Sequence, residues 1–286
     1  MSQFEERWDE CKQAVEKYLE NYLAERSENI VQGASDYAEA IHYAVFAGGK
    51  RFRPALTLMT GEALGLDDKD LIPYAAAVEL IHCFSLVHDD LPCMDDDDFR
   101  RGKPTTHMKF DEATALLAGD GMIMEAVQLI IQAYSHSPEL SLNLINCLME
   151  ASGSYGMIAG QVVDIKAQKT KIDIAELEQV HLHKTGALIR CAADGACLIS
   201  KANAQVRESI REYAELLGLC FQIKDDLLEV EDNKVEMGSF PGLIGVIASN
   251  KMLTDNSDQA LELIEGLEGN FENLKEIVRF NSHRSK

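Results

Sequence analysis

Apolar residues recur at helical spacing along almost the whole chain, and no stretch of convincing length alternates in the two-residue period of a strand. Residues 4–25 are amphipathic, with charges interleaved. Residues 35–47 read as a helix stopped by Gly48-Gly49. Pro54 suits the first turn of a helix running to Leu64, with Gly65 beyond it. Residues 73–91 are apolar on most faces, which predicts a central, buried helix. Residues 111–134, 139–159, 174–200 and 203–231 predict further long helices. There is no internal repeat and no low-complexity linker. The expectation is an all-α fold: one domain over residues 1–286, with its site in the centre of a helical bundle.

The chain has 286 residues, enough to bury a substantial core. No apolar run reaches 18 residues, so no transmembrane helix is expected. The N-terminus, MSQFEERWDECKQ, is acidic and polar, without the apolar core of a signal peptide, and cytoplasm is the default. Seven cysteines, an odd count without a CxxC pair, argue against structural zinc and a disulfide framework and for reduced, mostly buried thiols. A net charge of −21 excludes nucleic acid and anionic membrane as natural partners. It also repels an anionic substrate at long range, unless the chain brings metal ions or focuses its few cations. Two local groups do the focusing: Lys50, Arg51 and Arg53, and Arg100, Arg101 and Lys103.

Two acidic clusters are set among these helices. In HDDLPCMDDDDFRRGKPTTH, residues 88–107, the carboxylates emerge from the apolar run AAAVELIHCFSLV. Asp89 and Asp90 stand together, and Asp95 follows six residues after Asp89. Pro92 between them costs a helix bond, and the resulting distortion can bring Asp95 back toward the pair. His82, Ser85 and Asp89 share a helical face. In FQIKDDLLEVED, residues 221–232, Gln222, Asp225, Asp226 and Glu229 share one broad face at i, i+3, i+4 and i+7. Such carboxylates can share hard cations, and Mg²⁺ prefers a few of them plus the phosphate oxygens of a substrate. Two clusters on facing helices would hold several Mg²⁺ ions and a polyphosphate head.

Two further segments carry cations. In GGKRFRP, residues 48–54, glycines end one helix and Lys50 and Arg53 precede the next, a reasonable anion site. In HLHKTGALI, residues 181–189, a lone Lys184 in an apolar helix must snorkel, pair or meet a ligand, and Thr185 beside it can hold phosphate oxygens. His181 and His183 read as packing or surface residues. Taken alone, GGKRFRP fits a C-cap followed by solvated charges better than it fits a site, and HLHKTGALI is a weak signal.

As a set, and in this order, GGKRFRP, ELIHCFSLVHDDLPCMDDDDFRRGKPTTH, LAGDG, GQVVDI, HLHKTGAL and GLCFQIKDD resemble the trans-isoprenyl diphosphate synthases, and within them the short-chain bacterial farnesyl diphosphate synthases, over residues 35 to 232. The resemblance implies one large bundle of long helices around a deep central cavity (the isoprenoid synthase type), as a homodimer. It implies condensation of an allylic diphosphate, dimethylallyl or geranyl, with isopentenyl diphosphate to a short product, with Mg²⁺ as cofactor, three ions when substrate is bound. Lys50, Arg53, His82 and Arg101 match positions that bind isopentenyl diphosphate. Arg100, Lys184 and Gln222 match positions that hold the allylic diphosphate, and Thr185 lines its pocket. Asp89, Asp90, Asp95 and Asp225 match the Mg²⁺ ligands, and Asp89, Asp90, Asp225 and Lys184 are the residues expected to carry catalysis.

Phe84 lies five residues before Asp89, about 7–8 Å up the helix axis, where the resemblance implies that an aromatic floors the cavity and Ser85 beside it leaves room. This sets the expectation of a C15 product, with C10 as the alternative. The chain departs from the family after Glu229, in EVEDNKVEMGSFPGLIG, where a loop with a closing lysine is shortened and Lys234 is the substitute candidate. The departure raises the alternative of a noncatalytic or weakened subunit. A class I terpene cyclase would share the metal cage, but Lys50, Arg53 and Arg101 provide for a second diphosphate.

Overall fold

The computed structural model describes residues 2–167, 172–231 and 238–284. They form α-helices almost throughout; the strands among them are a two-residue antiparallel pair, β1 (Phe99–Arg100) with β2 (Lys103–Pro104). The all-α expectation is met. The chain divides into two compact units, one of Met1–Leu58 with Asp68–Ile145, the other of Met59–Asp67 with Asn146–Lys286.

In the first unit, α1 (Gln3–Glu28) starts at a capping box in which Ser2 accepts from the Glu5 amide and Glu5 answers the Ser2 amide. It is followed by α2 (Ser35–Val45), the start of α3 (Phe52–Ala63), α4 (Asp68–Asp89), the short α5 (Thr106–Lys109) and α6 (Glu112–Ala133). The centre is α4, whose residues from Tyr74 through Ile81 are buried without a break. It begins earlier than periodicity indicates, with Asp68 and Asp70 in the first turn where carboxylates complement the helix dipole, and Pro73 inside it. Its main neighbour is α6. The helices close tightly because the LAGDG segment puts Gly119 opposite His88: a Cβ there would collide with the imidazole. His88 Nε2 instead lies 2.9 Å from the Leu116 carbonyl oxygen, to which it donates.

One buried ion pair locks this unit. Arg51, in the left-handed region at φ 50°, sends Nη1 to Glu79 Oε1 at 2.7 Å, Nε to Glu16 Oε1 at 2.9 Å and Nη2 to the Val45 carbonyl at 2.6 Å. Arg51 is therefore committed to the core, not to the cationic group with Lys50 and Arg53 in which the sequence places it. By length and composition alone, α4 and α6 have what a membrane span requires. For α4 the reason is its place in the core. For α6 it is partly an outer stripe, Leu117, Met124 and Ile131 at seven-residue spacing, that stays exposed.

The second unit contains the C-terminal part of α7 (Pro138–Ser152), α8 (Met157–Ala167), α9 (Ile174–His181), a π-helical turn (Leu182–Gly186), α10 (Ala187–Ser200), α11 (Ala204–Glu231), α12 (Phe240–Ile244), α13 (Val246–Ile264) and α14 (Glu272–His283). The long α11 packs against α13 and α10. Its core includes Leu177, Cys220, Ile223, Leu227, Phe240 and Leu253. Two expectations change. The helix expected over 139–159 is broken between Ser152 and Met157, around Gly153 and Gly156. The helix expected over 174–200 is interrupted by the π turn, which widens the backbone at Lys184 and Thr185. Cys11, Cys83, Cys191, Cys197 and Cys220 are buried thiols, and Cys93 is exposed.

Candidate active site

In the first unit the acidic cluster is a turn folded back on the end of α4. The helix ends at Asp89, before Pro92, as the restricted residue preceding a proline favours. The chain then reverses: the Asp95 amide donates to the Asp89 carbonyl at 2.9 Å and the Asp97 amide to the Asp90 carbonyl at 3.2 Å. Asp96 adopts φ 56° to allow it. Asp95 is thus returned to Asp89, as the proline suggests. Asp89 is partly exposed and Asp95 exposed, while Asp90 is buried. Burial raises the Asp90 carboxyl above its ordinary pKa, against the pull of Arg100, whose Nε donates to Asp90 Oδ1 at 2.6 Å. Arg100 also lies 3.4 Å from Asp97.

Beside this wall is a group of cations. Arg53 Nε is enclosed and has no hydrogen-bond partner. Burial pushes its guanidinium down to about 10, with Glu79 opposing, and it stays charged at neutral pH. Burial, then Arg53 and Arg101, hold the His82 imidazole well below its ordinary value, so His82 is neutral. Arg101 adopts φ 54° and donates Nη1 to the Gly48 carbonyl. Lys50 is exposed, and its carbonyl accepts from the Trp8 indole at 2.8 Å. Mutually repelling cations, one with a sequestered unpartnered donor, are the groups an anion would satisfy. Phe84 is buried one turn before His88, its ring edge-on to the imidazole at 5.7 Å, and the Ser85 hydroxyl donates to the His82 carbonyl at 2.9 Å.

In the second unit the π turn presents Lys184 and Thr185. It approaches α8 closely at Gly160, where a Cβ would meet the Lys184 backbone. Lys184 Nζ donates to Asp164 Oδ2 at 2.6 Å. Gln222, Asp225 and Asp226 lie on one face of α11, all partly exposed. Asp225 Oδ1 is 2.6 Å from Arg284, and Asp226 Oδ2 accepts from the Phe240 amide at 2.8 Å. Phe240 is wholly buried and stacks on His181, centroids 5.5 Å apart, and burial holds that imidazole down to about 4. His181 is therefore a neutral packing residue, as expected. Lys234 lies outside the described residues.

Three participants had no assigned role in the sequence reading. Asp164 pairs with Lys184, and Arg284 pairs with Asp225. Gln161 is 9% exposed with both amide atoms enclosed and unpartnered. Asp164 and Gln161 stand in the GQVVDI segment, so a signal existed. Arg284 gave none. Among the described residues no three His, Cys, Asp or Glu side chains gather into a metal cage. The donors in each unit, taken separately, are nonetheless hard carboxylate oxygens, which suits Mg²⁺, an ion that takes one or two carboxylates and completes its shell with water and phosphate oxygens.

The pattern of the polyprenyl synthetase family matches residues 35–241, a span that contains both acidic walls, the cations and the π turn. The chain belongs to the polyprenyl synthetase family. It is 42% identical over 260 residues to the farnesyl diphosphate synthase of Micrococcus luteus, covering 87% of this chain and 89% of that one. It is 44% identical over 232 residues to the farnesyl diphosphate synthase of Geobacillus stearothermophilus, covering 80% of this chain and 76% of that one. Among solved structures, the apo FPP/GFPP synthase of Zymomonas mobilis superimposes with a TM-score of 0.89 at 31% identity, over 97% of this chain and 98% of that one. Like its family, this polyprenyl synthetase is a prenyl-transferring enzyme, a short-chain transferase with the all-α isoprenoid synthase fold. The noncatalytic alternative finds no support among these relatives.

Proposed function

We propose that this chain condenses isopentenyl diphosphate with an allylic diphosphate, dimethylallyl or geranyl, and releases farnesyl diphosphate. The observation that carries the reading is the group of Arg53, whose enclosed Nε has no hydrogen-bond partner, with Arg101 and neutral His82, beside the Asp89–Asp95 turn. An ionising transferase needs a cation cradle for one diphosphate and an acidic, metal-holding wall for the other. Mg²⁺, when bound, neutralises the charge on the departing diphosphate; Asp89, Asp90, Asp95 and Asp225 would hold it, as up to three ions. The C1–O bond of the allylic substrate breaks with its electron pair going to diphosphate. The double bond of isopentenyl diphosphate attacks C1, and a proton leaves the adduct to the released diphosphate. Lys50, Arg53, His82 and Arg101 hold isopentenyl diphosphate, Arg100, Lys184 and Gln222 the allylic diphosphate, and Thr185 lines the allylic pocket. Residues 1–286 act as one catalytic domain in a cytoplasmic homodimer, for which the exposed apolar stripe of α6 is the natural contact. Incubation of the purified chain with Mg²⁺, geranyl diphosphate and isopentenyl diphosphate, followed by chain-length analysis, tests the reading. A farnesyl product is expected, and a cyclic hydrocarbon or no product would overturn it.

The division of labour among the cations is separately testable. Arg101→Ala and Lys50→Ala are each expected to raise the KM for isopentenyl diphosphate, by removing charge-assisted bonds of about 1.5–3 kcal/mol. Steady-state kinetics with each substrate varied in turn reads this, and a rise confined to the allylic substrate would contradict it.

Product length rests on Phe84. Its burial beside His88 also suits an ordinary core residue, so truncation separates the two roles. Phe84→Ala is expected to shift product from C15 to longer chains while costing about 3 kcal/mol of stability. An active variant with an unchanged product distribution would move the stop to another residue.

A further inference from the structure

The last described residue of the chain is engaged with the second acidic wall. Arg284 follows α14, and its side chain is only 5% exposed although it ends the described chain. Its guanidinium lies over the Phe221 ring at 4.3 Å. Nε donates to Asn281 Oδ1 at 3.0 Å, and Nη2 donates to the Phe221 carbonyl at 3.0 Å and reaches Asp225 Oδ1 at 2.6 Å. The fork is therefore bound on three sides by α11 and α14, with Asp225 as its one anionic partner among these contacts. The neighbouring Asp226 is tied by one oxygen to the Phe240 amide. Asp225 remains 40% exposed, so the carboxylate is accessible to solvent while Oδ1 is held by Arg284.

We propose that Arg284 and the divalent cation compete for the carboxylate of Asp225, so that the C-terminal end of α14 is a latch that metal loading releases. A guanidinium at 2.6 Å neutralises the charge that attracts the ion and sets a positive charge beside the place the ion would take. The two cations cannot both draw fully on one carboxylate. Linkage then requires that whatever Arg284 subtracts from metal affinity, metal subtracts from Arg284 docking. The inference rests on Asp225 being a metal ligand, and it assigns to this wall the weaker, conditional metal position.

The test uses the full chain with Mn²⁺ as a spectroscopic stand-in for Mg²⁺ and an unreactive allylic thiodiphosphate, so that binding is read without turnover. Asp225→Asn first identifies the Mn²⁺ position that depends on this wall; if no position weakens, the metal assignment of Asp225 fails by itself. Given that position, Arg284→Ala is expected to tighten it by about tenfold, the effect of relieving one charge-assisted contact. Arg284→Lys, which keeps charge but loses the fork, falls between. In the Asp225→Asn background Arg284→Ala should change nothing. In the unaltered chain, amide exchange over residues 277–284 should accelerate on loading with Mn²⁺ and the analogue, a readout independent of whether any variant folds. Unchanged or weakened Mn²⁺ binding in Arg284→Ala, or exchange at 277–284 that is unmoved by loading, overturns the latch.

Discussion

Asp89→Ala is expected to lower turnover by about two to three orders of magnitude while leaving the fold intact. On the proposed reading, several kcal/mol of charge stabilisation at the leaving diphosphate depend on the ion this carboxylate would help to hold, and each 1.36 kcal/mol is a factor of ten in rate. Asp89 ends α4 partly exposed in a crowded acidic turn, so its removal relieves repulsion with Asp90 and Asp95. The backbone bond that returns Asp95 uses the Asp89 carbonyl, which alanine keeps. Asp90→Ala should lose turnover to a similar degree but behave differently toward heat. Asp90 is buried and is the near partner of Arg100, and its loss leaves that guanidinium with only the longer contact to Asp97. Single-turnover product formation across a Mg²⁺ titration, with thermal unfolding alongside, separates the two. Near-normal turnover in Asp89→Ala at limiting Mg²⁺ would remove this wall from the metal assignment.

The acidic turn after α4 was legible in the sequence because its signal is local. An aspartate pair emerging from an apolar helix, followed by a proline and a third aspartate, dictates a helix end and a returning turn, and the bonds from the Asp95 and Asp97 amides are that turn. Most helices in the first 230 residues followed from periodicity and glycine stops for the same reason, while the break after Ser152, the π turn and the early start of α4 did not. What was not legible depends on partners distant in the chain. Arg51 sits between Lys50 and Arg53 and looks like one of them, and only Glu16 and Glu79 make it a core residue. The π turn at Lys184 has no local signature; it depends on close approach to α8 at Gly160. Arg284 meets Asp225 across a separation in sequence that no spacing rule covers. Helices α12–α14 follow the shortened segment, where the sequence reading stops.

Removing either partner of the Arg51–Glu79 pair is expected to cost about 3–5 kcal/mol, the penalty for leaving a buried charge uncompensated. The guanidinium is fully enclosed and Glu79 nearly so, with Glu79 Oε2 already unpartnered, so water cannot take over for a lost partner without opening the core. Burial opposes the charge on Arg51, and the Glu79 carboxylate more than restores it, raising the group above its ordinary value. Glu79 serves a second cation as well: it is the counter-charge that opposes the lowering of Arg53, one of the proposed diphosphate ligands. Glu79→Ala should therefore reach beyond stability. With Arg51 released from its φ of 50° and Arg53 left without a counter-charge, the segment carrying Lys50 and Arg53 loosens and the KM for isopentenyl diphosphate rises, although Glu79 touches no substrate. Urea unfolding reads the first effect, and kinetics well below the unfolding transition reads the second. The paired replacement Arg51→Met with Glu79→Leu should recover most of the stability, since apolar groups of similar volume need no counter-charge. It should not recover the KM, because Arg53 still lacks its partner. A loss below about 1 kcal/mol in Glu79→Ala would mean the pair is solvated and would withdraw its role in holding the cations.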